Sequence, residues 1–538
     1  MKKNILLLVL CMVAMVSCNP MENPPSNKFT DNTYWTNEER AQYVVNMAYA
    51  QMYSATKMWN DEALSDNLID GTGMSDTKQI RNGQALPSLN LFESEWNELY
   101  GGIKTCHIFL EKVDRVPNMN PSSKAFMIAQ IRFIRAYIYF RLTNFYGDIP
   151  FFTKDITLEE SKTMSRTPRN TVISFIHQEL DEIISTLPRK EDLQTSQRGA
   201  ITKGAAIALQ ARVYLMDSDW KNVVKYTEML MNEGATYGQY ELYPDYRGLF
   251  EEANEYNSEI ILERGYTPQL VTWGDMLDMA PLSRGARVSA RAPLQSLVDS
   301  YRMLSGAKIR DNDSSYDPNY PYKGRDPRLS ATVVYDGYDW SEHVSDGTNG
   351  VRIMIDPSKD PGGVDIYRPE SSGTPTGYYV RKYYSPQAKG DMSSGLNIIM
   401  LRYGDVLLMN AEAHLELNTL TPAIWDRTIG ALRKRAGLQG AISFPSNLSQ
   451  EDLRSEIRNE RRVELALEGL RWYDIQRWQI GPEVLSGQML GATFPEPTGT
   501  IIAGTRRFVA PRDYLWSVPL SQTNLNANLK PNNPGYAN

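Results

Sequence analysis

Apolar residues at helical spacing mark the start of the folded part of the chain. In "YWTNEERAQYVVNMAYAQMY" the apolar positions recur every three or four residues, at Ala41, Val44, Val45, Ala48 and Met52. Thr36 and Glu39 stand three residues apart just before this run, which is the pattern of a capping box. We therefore predict an amphipathic helix with Thr36 as its N-cap.

The same periodicity predicts further helices over residues 97–114, 125–146, 170–187, 203–216 and 219–233. The last two resemble a tetratricopeptide-like hairpin, because Trp220 begins the second helix and small residues stand where the helices would cross, at Ala205, Ala208 and Ala211. A second hairpin is predicted within residues 401–438, with Ala411 and Ala413 as its small positions. Because a long segment separates the two hairpins, we expect any superhelix to be interrupted.

Two segments lack long apolar periodicity. Residues 266–395 are dense in Gly, Pro, Asp and Tyr, and residues 481–538 are rich in proline. Loops this long inside a folded body are usually functional or disordered, and the aromatic content of residues 266–395 argues against disorder. We predict a mostly α fold, with a helical part over 29–265, a loop-rich ligand face over 266–395, a helical part over 396–480 and a loop-rich tail over 481–538.

The N-terminus has the pattern of an export signal. "MKKNILLLVLCMVAMVSC" places two lysines before an apolar run that is too short to span a membrane as a mature helix. We predict a signal peptide over residues 1–17. The cysteine that ends the run indicates a lipoprotein signal, with Cys18 acylated at the start of a Pro-rich tether over 18–28. The alternative is plain secretion with an unmodified Cys18.

Charge and motifs narrow the function classes. The formal net charge of −7 provides no overall basic field, which argues against a nucleic-acid partner. The chain contains no GxSxG, HExxH, P-loop, GxGxxG or paired CxxC motif, and only four histidines. We therefore predict a protein that is not an enzyme and uses no cofactor or metal. A glycosidase with loop carboxylates stays open as a remote alternative, because the spacing of such a pair exists only in three dimensions.

Two features could carry chemistry but fit structural roles better. Cys106 lies on an apolar helical face, so we predict a small buried hydrophobe, and we assign the neighbouring His107 a structural role. The loop "DNDSSYDPN" offers three carboxylates that could hold calcium, at Asp311, Asp313 and Asp317. It lacks the glycine and final glutamate of an EF-hand, so a solvated Asx-rich turn is the preferred interpretation.

Sugar binding requires flat aromatic faces together with planar hydrogen-bonding groups, and loops present both well. The candidate ligand residues are Trp273, Tyr335, Tyr338 and Trp340 in the 266–395 segment, and Trp59, Asp66, Asn67 and Arg81 in the early part of the chain. The alternative for each aromatic is that it packs its loop onto the body. If Trp340 contacts ligand, Trp340→Ala should lower affinity by about 1–3 kcal/mol with little change in melting temperature.

The densest charged run is "RNERRVELALEGLRWYDIQRW", residues 458–478. On a single helix its glutamates would recur every four residues beside an apolar stripe, at Glu460, Glu464 and Glu468. The interleaved arginines predict ion pairs within that helix. Paired charges suit neither a polyanion surface nor general acid–base catalysis, so we assign the run to holding the fold.

Several stretches, in order along the chain, resemble the SusD/RagB family of outer-membrane nutrient-uptake lipoproteins of Bacteroidota. They include "FTDNTYWTNEERAQYVVNMAY", "EWNELYGGIKTCHIFLEKV", "QIRFIRAYIYFRLTNFYGDIPFFT", "YPYKGRDPRL", "MLRYGDVLLMNAEAH", "RNERRVELALEGLRWYDIQRW" and "LWSVPLSQTNLNANLKPNNPGY". The resemblance covers nearly the whole chain.

This resemblance implies tetratricopeptide-like helices with a loop-rich region over them, and binding without catalysis. It implies capture of an oligosaccharide outside the cell and delivery to a SusC-like TonB-dependent transporter, with a lipid anchor in the outer membrane. The RagB branch implies a peptide ligand as the alternative. Only Glu22 is acidic among residues 19–28, so exposure at the cell exterior is implied by the family and not by the signal.

Overall fold

The computed structural model describes residues 34–70, 75–312, 314–340, 351–369, 371–388 and 392–537. The predicted signal peptide, Cys18 and the tether to residue 28 therefore lie outside the described residues. Within them, no helix combines the length and apolar character needed to cross a membrane.

The first half of the chain is mostly helical. Its helices are α1 (Glu38–Met52), α2 (Ala55–Ala63), α3 (Asp76–Arg81), α4 (Asn90–Lys112), α5 (Pro121–Tyr146), α6 (Leu158–Ser161), α7 (Arg169–Ile184), α8 (Lys203–Met216), α9 (Trp220–Asn232) and α10 (Gly234–Tyr237). The later helices are α11 (Gln295–Ser300), α12 (Pro327–Thr332), α13 (Tyr403–Glu416), α14 (Pro422–Trp425), α15 (Ala431–Arg435), α16 (Gln450–Glu464), α17 (Arg471–Trp478), α18 (Gly481–Val484) and α19 (Leu520–Leu525). The predicted mostly α class is confirmed.

The strands are short and pair antiparallel in five two-stranded sheets among the described residues. The pairs are β1 (Leu68–Asp70) with β3 (Arg291–Pro293), β2 (Ile260–Arg264) with β8 (Ile398–Arg402), β4 (Val333–Val334) with β7 (Tyr379–Val380), β5 (Tyr338–Asp339) with β6 (Arg352–Ile353), and β9 (Gly487–Thr493) with β10 (Thr500–Arg506). The β9–β10 hairpin lies in the tail, for which the sequence predicted a loop-rich segment and no strand.

Helix α1 begins one residue later than predicted. The side chain of Asn37 accepts a hydrogen bond from the backbone N–H of Arg40 (3.0 Å), so Asn37 is the N-cap and the prediction of Thr36 is wrong. Asparagine caps helices at least as well as threonine does. The buried face of α1 is the predicted one, from Ala41 to Met52.

The long helices pack side by side in the order α1, α4, α5, α7, α8, α9, α13 and α16. The small residues of the first predicted hairpin, Ala205, Ala208 and Ala211, are buried. Helix α13, which belongs to the second predicted hairpin, packs directly on α9, and Asn410 Nδ2 donates to Thr227 Oγ1 there (3.0 Å). The two predicted hairpins are therefore far apart along the sequence, but their helices are in direct contact in the fold.

The chain terminus completes the core of the first helices. The Trp516 indole is buried and packs against Phe145 and Phe92, at ring-centroid distances of 4.2 and 5.2 Å. Asn533 Nδ2 donates to the carbonyl of Trp516 (2.6 Å) and to that of Tyr146 (2.9 Å). The loop-rich tail is therefore an integral part of the helical body.

The run at 458–478 is not one helix. Helix α16 ends at Glu464, Leu467 has φ +61°, and α17 begins at Arg471. The prediction of ion pairs within one helix is also wrong for the buried glutamates. Arg328 and Arg402 each lie 2.8 Å from a carboxylate oxygen of Glu464, and both come from distant parts of the chain.

These contacts belong to a larger group that we call the buried ion network. Its members are nearly or fully buried side chains that connect through shared ion pairs: Arg302, Arg328, Lys382, Arg402, Arg433 and Arg435 as cations, and Glu259, Asp326, Glu456, Glu460, Glu464 and Glu468 as anions. Six cations thus balance six anions. The burial of most charged residues at 458–478 agrees with the prediction that this run holds the fold and does not contact ligand.

Candidate functional site

Several predicted aromatic residues lie inside the body. The Trp59 and Trp340 side chains are fully buried, and the Tyr338 and Trp273 side chains nearly so. Trp340 packs edge-to-face on Tyr384, with ring centroids 4.9 Å apart. Trp273 Nε1 donates to a backbone carbonyl (2.7 Å). A ring with no exposed face offers a sugar no surface for stacking, so this geometry matches the alternative in which these aromatics pack their loops.

The predicted polar residues of the early segment are also buried. Asp66 accepts hydrogen bonds from Arg471 (2.7 and 3.0 Å) and pairs with Arg462 at 3.0 Å. Burial opposes ionisation of Asp66, but these guanidiniums outweigh it and hold its pKa well below the usual range. Asn67 Oδ1 accepts from Arg462 Nε (2.8 Å), and Arg81 Nη1 donates to the Asp70 carbonyl (2.9 Å). The contacts of Asp66 and Asn67 tie the early segment to α17 and the end of α16.

Tyr335 has a different position from the other predicted residues, at the wall of a solvent-open cleft of about 810 Å³. We call this the tyrosine cleft. Four segments form it: residues 318–323, residues 335–337, the stretch from β6 to residue 359, and the end of the β9–β10 hairpin. Its lining residues are Pro318, Asn319, Tyr320, Pro321, Tyr322, Lys323, Tyr335, Asp336, Gly337, Arg352, Asp356, Lys359, Thr493, Phe494 and Pro495.

A local turn positions the tyrosines of the cleft. The Asp317 carboxylate accepts from the backbone N–H of Asn319 (2.9 Å), and the Asp317 carbonyl accepts from that of Tyr320 (2.9 Å), which makes a tight Asx turn. Tyr320 is the last residue of this turn and is 65% exposed. Tyr322 folds back and stacks on Tyr335, with centroids 4.2 Å apart and planes 18° from parallel.

A buried carboxylate joins two walls of the cleft. Asp336 Oδ1 accepts from the backbone N–H groups of Ile355 (2.8 Å) and Asp356 (2.9 Å). Asp336 Oδ2 lies 2.7 Å from Lys359 Nζ, and this hydrogen bond raises the pKa of Lys359 against the opposing effect of partial burial. The Asp336 side chain therefore fixes the turn at 335–337 relative to the β6 strand end.

The lining of the cleft combines aromatic rings with hydrogen-bonding and charged side chains. Its lining contains no histidine or cysteine among the residues that the structure describes, and both of its carboxylates are engaged with backbone N–H groups or with Lys359. No group of three or more His, Cys, Asp or Glu side chains with metal-binding geometry occurs in the described part of the chain. Aromatic faces and hydrogen-bonding groups together suit a polar ring such as a sugar.

The other chemical candidates have structural surroundings. Cys106 is fully buried, as predicted, and burial raises the pKa of its thiol to about 12. His107 is buried, and burial together with Arg135 lowers its pKa to about 3. Asp311 accepts from the backbone N–H of Lys308 (2.7 Å) and donates its own backbone N–H to the Lys308 carbonyl (3.1 Å), so its carboxylate closes a four-residue turn. Asp313 lies outside the described residues.

Most residues of the tyrosine cleft were not among those predicted from the sequence. Tyr320 and Tyr322 come from "DPNYPY", in which prolines flank a tyrosine, a signal for an aromatic held out by a rigid loop. Lys323, Arg352 and Lys359 carried no comparable signal, because lone basic residues in loops are common. The approach of the β9–β10 hairpin from the tail depends on tertiary packing alone.

Comparisons with known proteins agree along the full chain. A family model described as "SusD family" matches residues 258–536, and one described as "Starch-binding associating with outer membrane" matches residues 22–215. The SusD-like protein P2 of Formosa agariphila is 27% identical over 559 residues and 100% of both chains. These matches confirm the resemblance noted from the sequence.

Solved structures give the same result. A SusD-like carbohydrate binding protein from Bacteroides fragilis superposes with a TM-score of 0.83 at 28% identity, covering 93% of this chain and 100% of that one. A laminarin binding SusD-like protein superposes with a TM-score of 0.69 at 23% identity, again covering 93% and 100%, and this second likeness concerns the fold alone. With one model covering more than half of its residues and a relative aligned over its entire length, the chain belongs to the SusD family.

Proposed function

We propose that this protein is a non-catalytic, glycan-binding lipoprotein that captures an oligosaccharide and delivers it to a SusC-like TonB-dependent transporter. Membership of the SusD family supports this role, as does similarity to a protein described as carbohydrate binding. The tyrosine cleft is the proposed capture site. The observation that carries the proposal is an open cleft with exposed and stacked tyrosine rings in a chain of this family.

The ligand would stack on the exposed ring of Tyr320 and contact the edge of the Tyr322–Tyr335 stack. Sugar rings present C–H groups on their faces and hydroxyls at their edges, so flat aromatics and nearby polar groups bind them together. Of the residues predicted from sequence, Tyr335 keeps its proposed ligand role. The other seven are proposed to hold the loops that frame the site: Trp273, Tyr338, Trp340, Trp59, Asp66, Asn67 and Arg81.

The proposed location is the outer membrane, with the folded body facing the cell exterior. The description of the family model over residues 22–215 supports an outer-membrane association, and Cys18 is the proposed lipidation site. Cys18→Ser should move the protein from the outer-membrane fraction to a soluble fraction. Co-purification of the unmodified protein with a SusC-like transporter tests the proposed partner.

The binding proposal is tested with Tyr320→Ala. Loss of a large exposed aromatic at the centre of a site typically costs more than about 1 kcal/mol, so affinity should fall roughly five- to tenfold or more. Isothermal titration calorimetry against a glycan panel measures this, and the melting temperature should stay unchanged because Tyr320 is exposed. Tyr43→Ala, which removes a 52%-exposed tyrosine from α1, is the matched control.

Two results would contradict the proposal. Binding of no glycan by the purified protein would remove its basis, and stronger binding of a peptide panel would favour the RagB-like alternative. Equal affinities for Tyr320→Ala, Tyr43→Ala and the unmodified protein would keep the glycan role but remove the tyrosine cleft as its site. Release of reducing ends from a bound glycan would identify a glycosidase instead.

A further inference from the structure

Among the residues that the structure describes, the charges that face solvent in the tyrosine cleft are all positive. Among its described lining residues the exposed charged side chains are Lys323, Arg352 and Lys359. The side chains of the two lining carboxylates, Asp336 and Asp356, are only 8% and 1% exposed. The chain as a whole carries a formal net charge of −7, so this local excess of cations is opposite to the overall charge.

The two carboxylates are almost completely buried, which keeps their oxygens away from a ligand in the cleft. Asp336 is engaged by two backbone N–H groups and by Lys359. Asp356 Oδ1 accepts from the backbone N–H (2.9 Å) and hydroxyl (2.7 Å) of Ser358, and its Oδ2 lies 3.6 Å from Lys359 Nζ. Together they hold the Lys359 ammonium at the wall, where its side chain is still 54% exposed.

The other two cations are less constrained. The Arg352 side chain is 67% exposed, and its ion pair with Asp339, at 4.0 Å, is long. A guanidinium has five N–H donors in a planar fork, so one long contact leaves a bidentate edge for an oxyanion. Lys323 makes no ion pair with any residue that the structure describes, and it follows directly after the Tyr320–Tyr322 turn.

The chemistry of these groups favours one ligand class. Lysine and arginine only donate hydrogen bonds, whereas each sugar hydroxyl both donates and accepts. The exposed ionic groups of the cleft therefore match a ligand that has more hydrogen-bond acceptors than donors, such as one with a carboxylate or a sulfate ester. Concentrated positive charge also raises the encounter rate of a polyanion in a salt-dependent way.

We propose that the tyrosine cleft selects a negatively charged oligosaccharide, one that carries uronate carboxylates or sulfate esters. The tyrosine rings bind the faces of the sugar rings, while Lys323, Arg352 and Lys359 bind the anionic substituents. This inference rests on the proposed glycan-binding function and specifies its ligand class. It distinguishes this cleft from a site for an uncharged glucan.

Binding of the full chain to four purified oligosaccharide preparations tests the inference. Polygalacturonate and alginate oligosaccharides supply carboxylates, carrageenan oligosaccharides supply sulfate esters, and laminarin oligosaccharides are uncharged. Calorimetry at about 50 mM and about 300 mM salt separates the electrostatic part of the affinity. At least one anionic preparation should bind tenfold or more tightly than the uncharged one, and its affinity should fall several-fold at the higher salt concentration.

The double variant Lys323→Gln, Arg352→Gln tests the residues. Both side chains are exposed and hold no buried partner, so the variant should fold normally. Affinity for the anionic oligosaccharide should fall at least tenfold and lose most of its salt dependence. Lys221→Gln, Lys434→Gln removes two exposed lysines from helices outside the cleft and should leave every affinity unchanged.

The outcomes separate this inference from the proposed function. Tighter binding of either the carboxylated or the sulfated arm, lost in the cleft variant alone, supports the inference and identifies the anionic group. Equal binding of laminarin oligosaccharides, unaffected by the cleft variant, overturns the inference while glycan binding stands. Failure to bind any glycan, or preferential binding of an acidic peptide, overturns both.

Discussion

Replacement of one carboxylate in the buried ion network should cost a large part of the stability of the protein. In Glu464→Gln the shape of the side chain is nearly kept, but its charge is lost. Glu464 is fully buried and pairs with Arg328 and Arg402, each at 2.8 Å, and with Arg435. The glutamine NH₂ group would also direct a donor at one of these guanidiniums, which have no acceptor.

The magnitude follows from the balance of charges. The network has six cations and six anions, so the variant leaves one buried positive charge uncompensated. Removing one partner from a buried ion pair typically costs about 3–5 kcal/mol. We expect a loss of that size in the free energy of unfolding, measured by urea denaturation with tryptophan fluorescence.

The matched control lies on the same helix. Glu451 in the first turn of α16 is 77% exposed in its side chain and pairs with Arg454 at the surface. Glu451→Gln should cost less than about 1 kcal/mol, because exposed ion pairs contribute little. The folded fraction of Glu464→Gln should bind ligand normally, since the network shares no residue with the tyrosine cleft. A loss no larger than that of Glu451→Gln would refute the reasoning.

Three further predictions concern packing and pH. Trp340→Ala should lower the free energy of unfolding by about 3–5 kcal/mol, because the indole is fully buried. An unchanged melting temperature together with weaker ligand binding would instead support the ligand role that the sequence predicts for Trp340. Burial opposes ionisation of Glu456, but Arg302 and Arg433 outweigh it and lower its pKa to about 2. Between this pKa and that of an ordinary glutamate, the unfolded chain binds more protons than the folded one. The melting temperature should therefore be retained above about pH 4.5 and fall as the pH drops towards 2. A melting temperature that stays constant over that pH range would contradict this. Gly102→Ala would place Cβ 2.6 Å from a methyl group of Ile138, whereas Gly101→Ala has open space; both gain helix propensity, so Gly102→Ala should be less stable than Gly101→Ala by about 1–3 kcal/mol. Equal stabilities by calorimetry would argue against close packing of α4 on α5.

The helical body was largely predictable from sequence because its signal is local. Apolar spacing depends on residues within a few turns, and it identified α1, α5 and α8 close to their observed positions. The error at the start of α1 has the same origin, since Thr36 and Asn37 both suit an N-cap and only the backbone geometry decides between them.

The ion network was not predictable in the same way. The regular spacing of Glu460, Glu464 and Glu468 suggested one helix with its own partners. The chain instead turns after Glu464, and its glutamates pair with Arg328, Arg402 and other residues far away in sequence. Sequence spacing predicts which residues are neighbours on one helix. It contains no information on which distant segment of the chain supplies a guanidinium.

The candidate site falls between these cases. The composition of the loop-rich segment predicts a ligand face, but composition does not distinguish a buried aromatic from an exposed one. Trp340 and Tyr320 both lie in Gly-, Pro- and Asp-rich sequence, yet one is fully buried and the other is 65% exposed. Trp340 packs against the rings of Tyr338 and Tyr384, whereas an Asx turn presents Tyr320.

The position of Trp516 has a consequence for the order of events during folding. Its indole packs against Phe92 and Phe145, which lie on helices that the ribosome makes long before residue 516 emerges. The early helices therefore keep the apolar slot for this indole unfilled until residue 516 has been synthesised. A prematurely terminated chain exposes that slot permanently, and such surface is what chaperones and proteases recognise. Synthesis beyond residue 516 is thus a condition for covering this apolar surface.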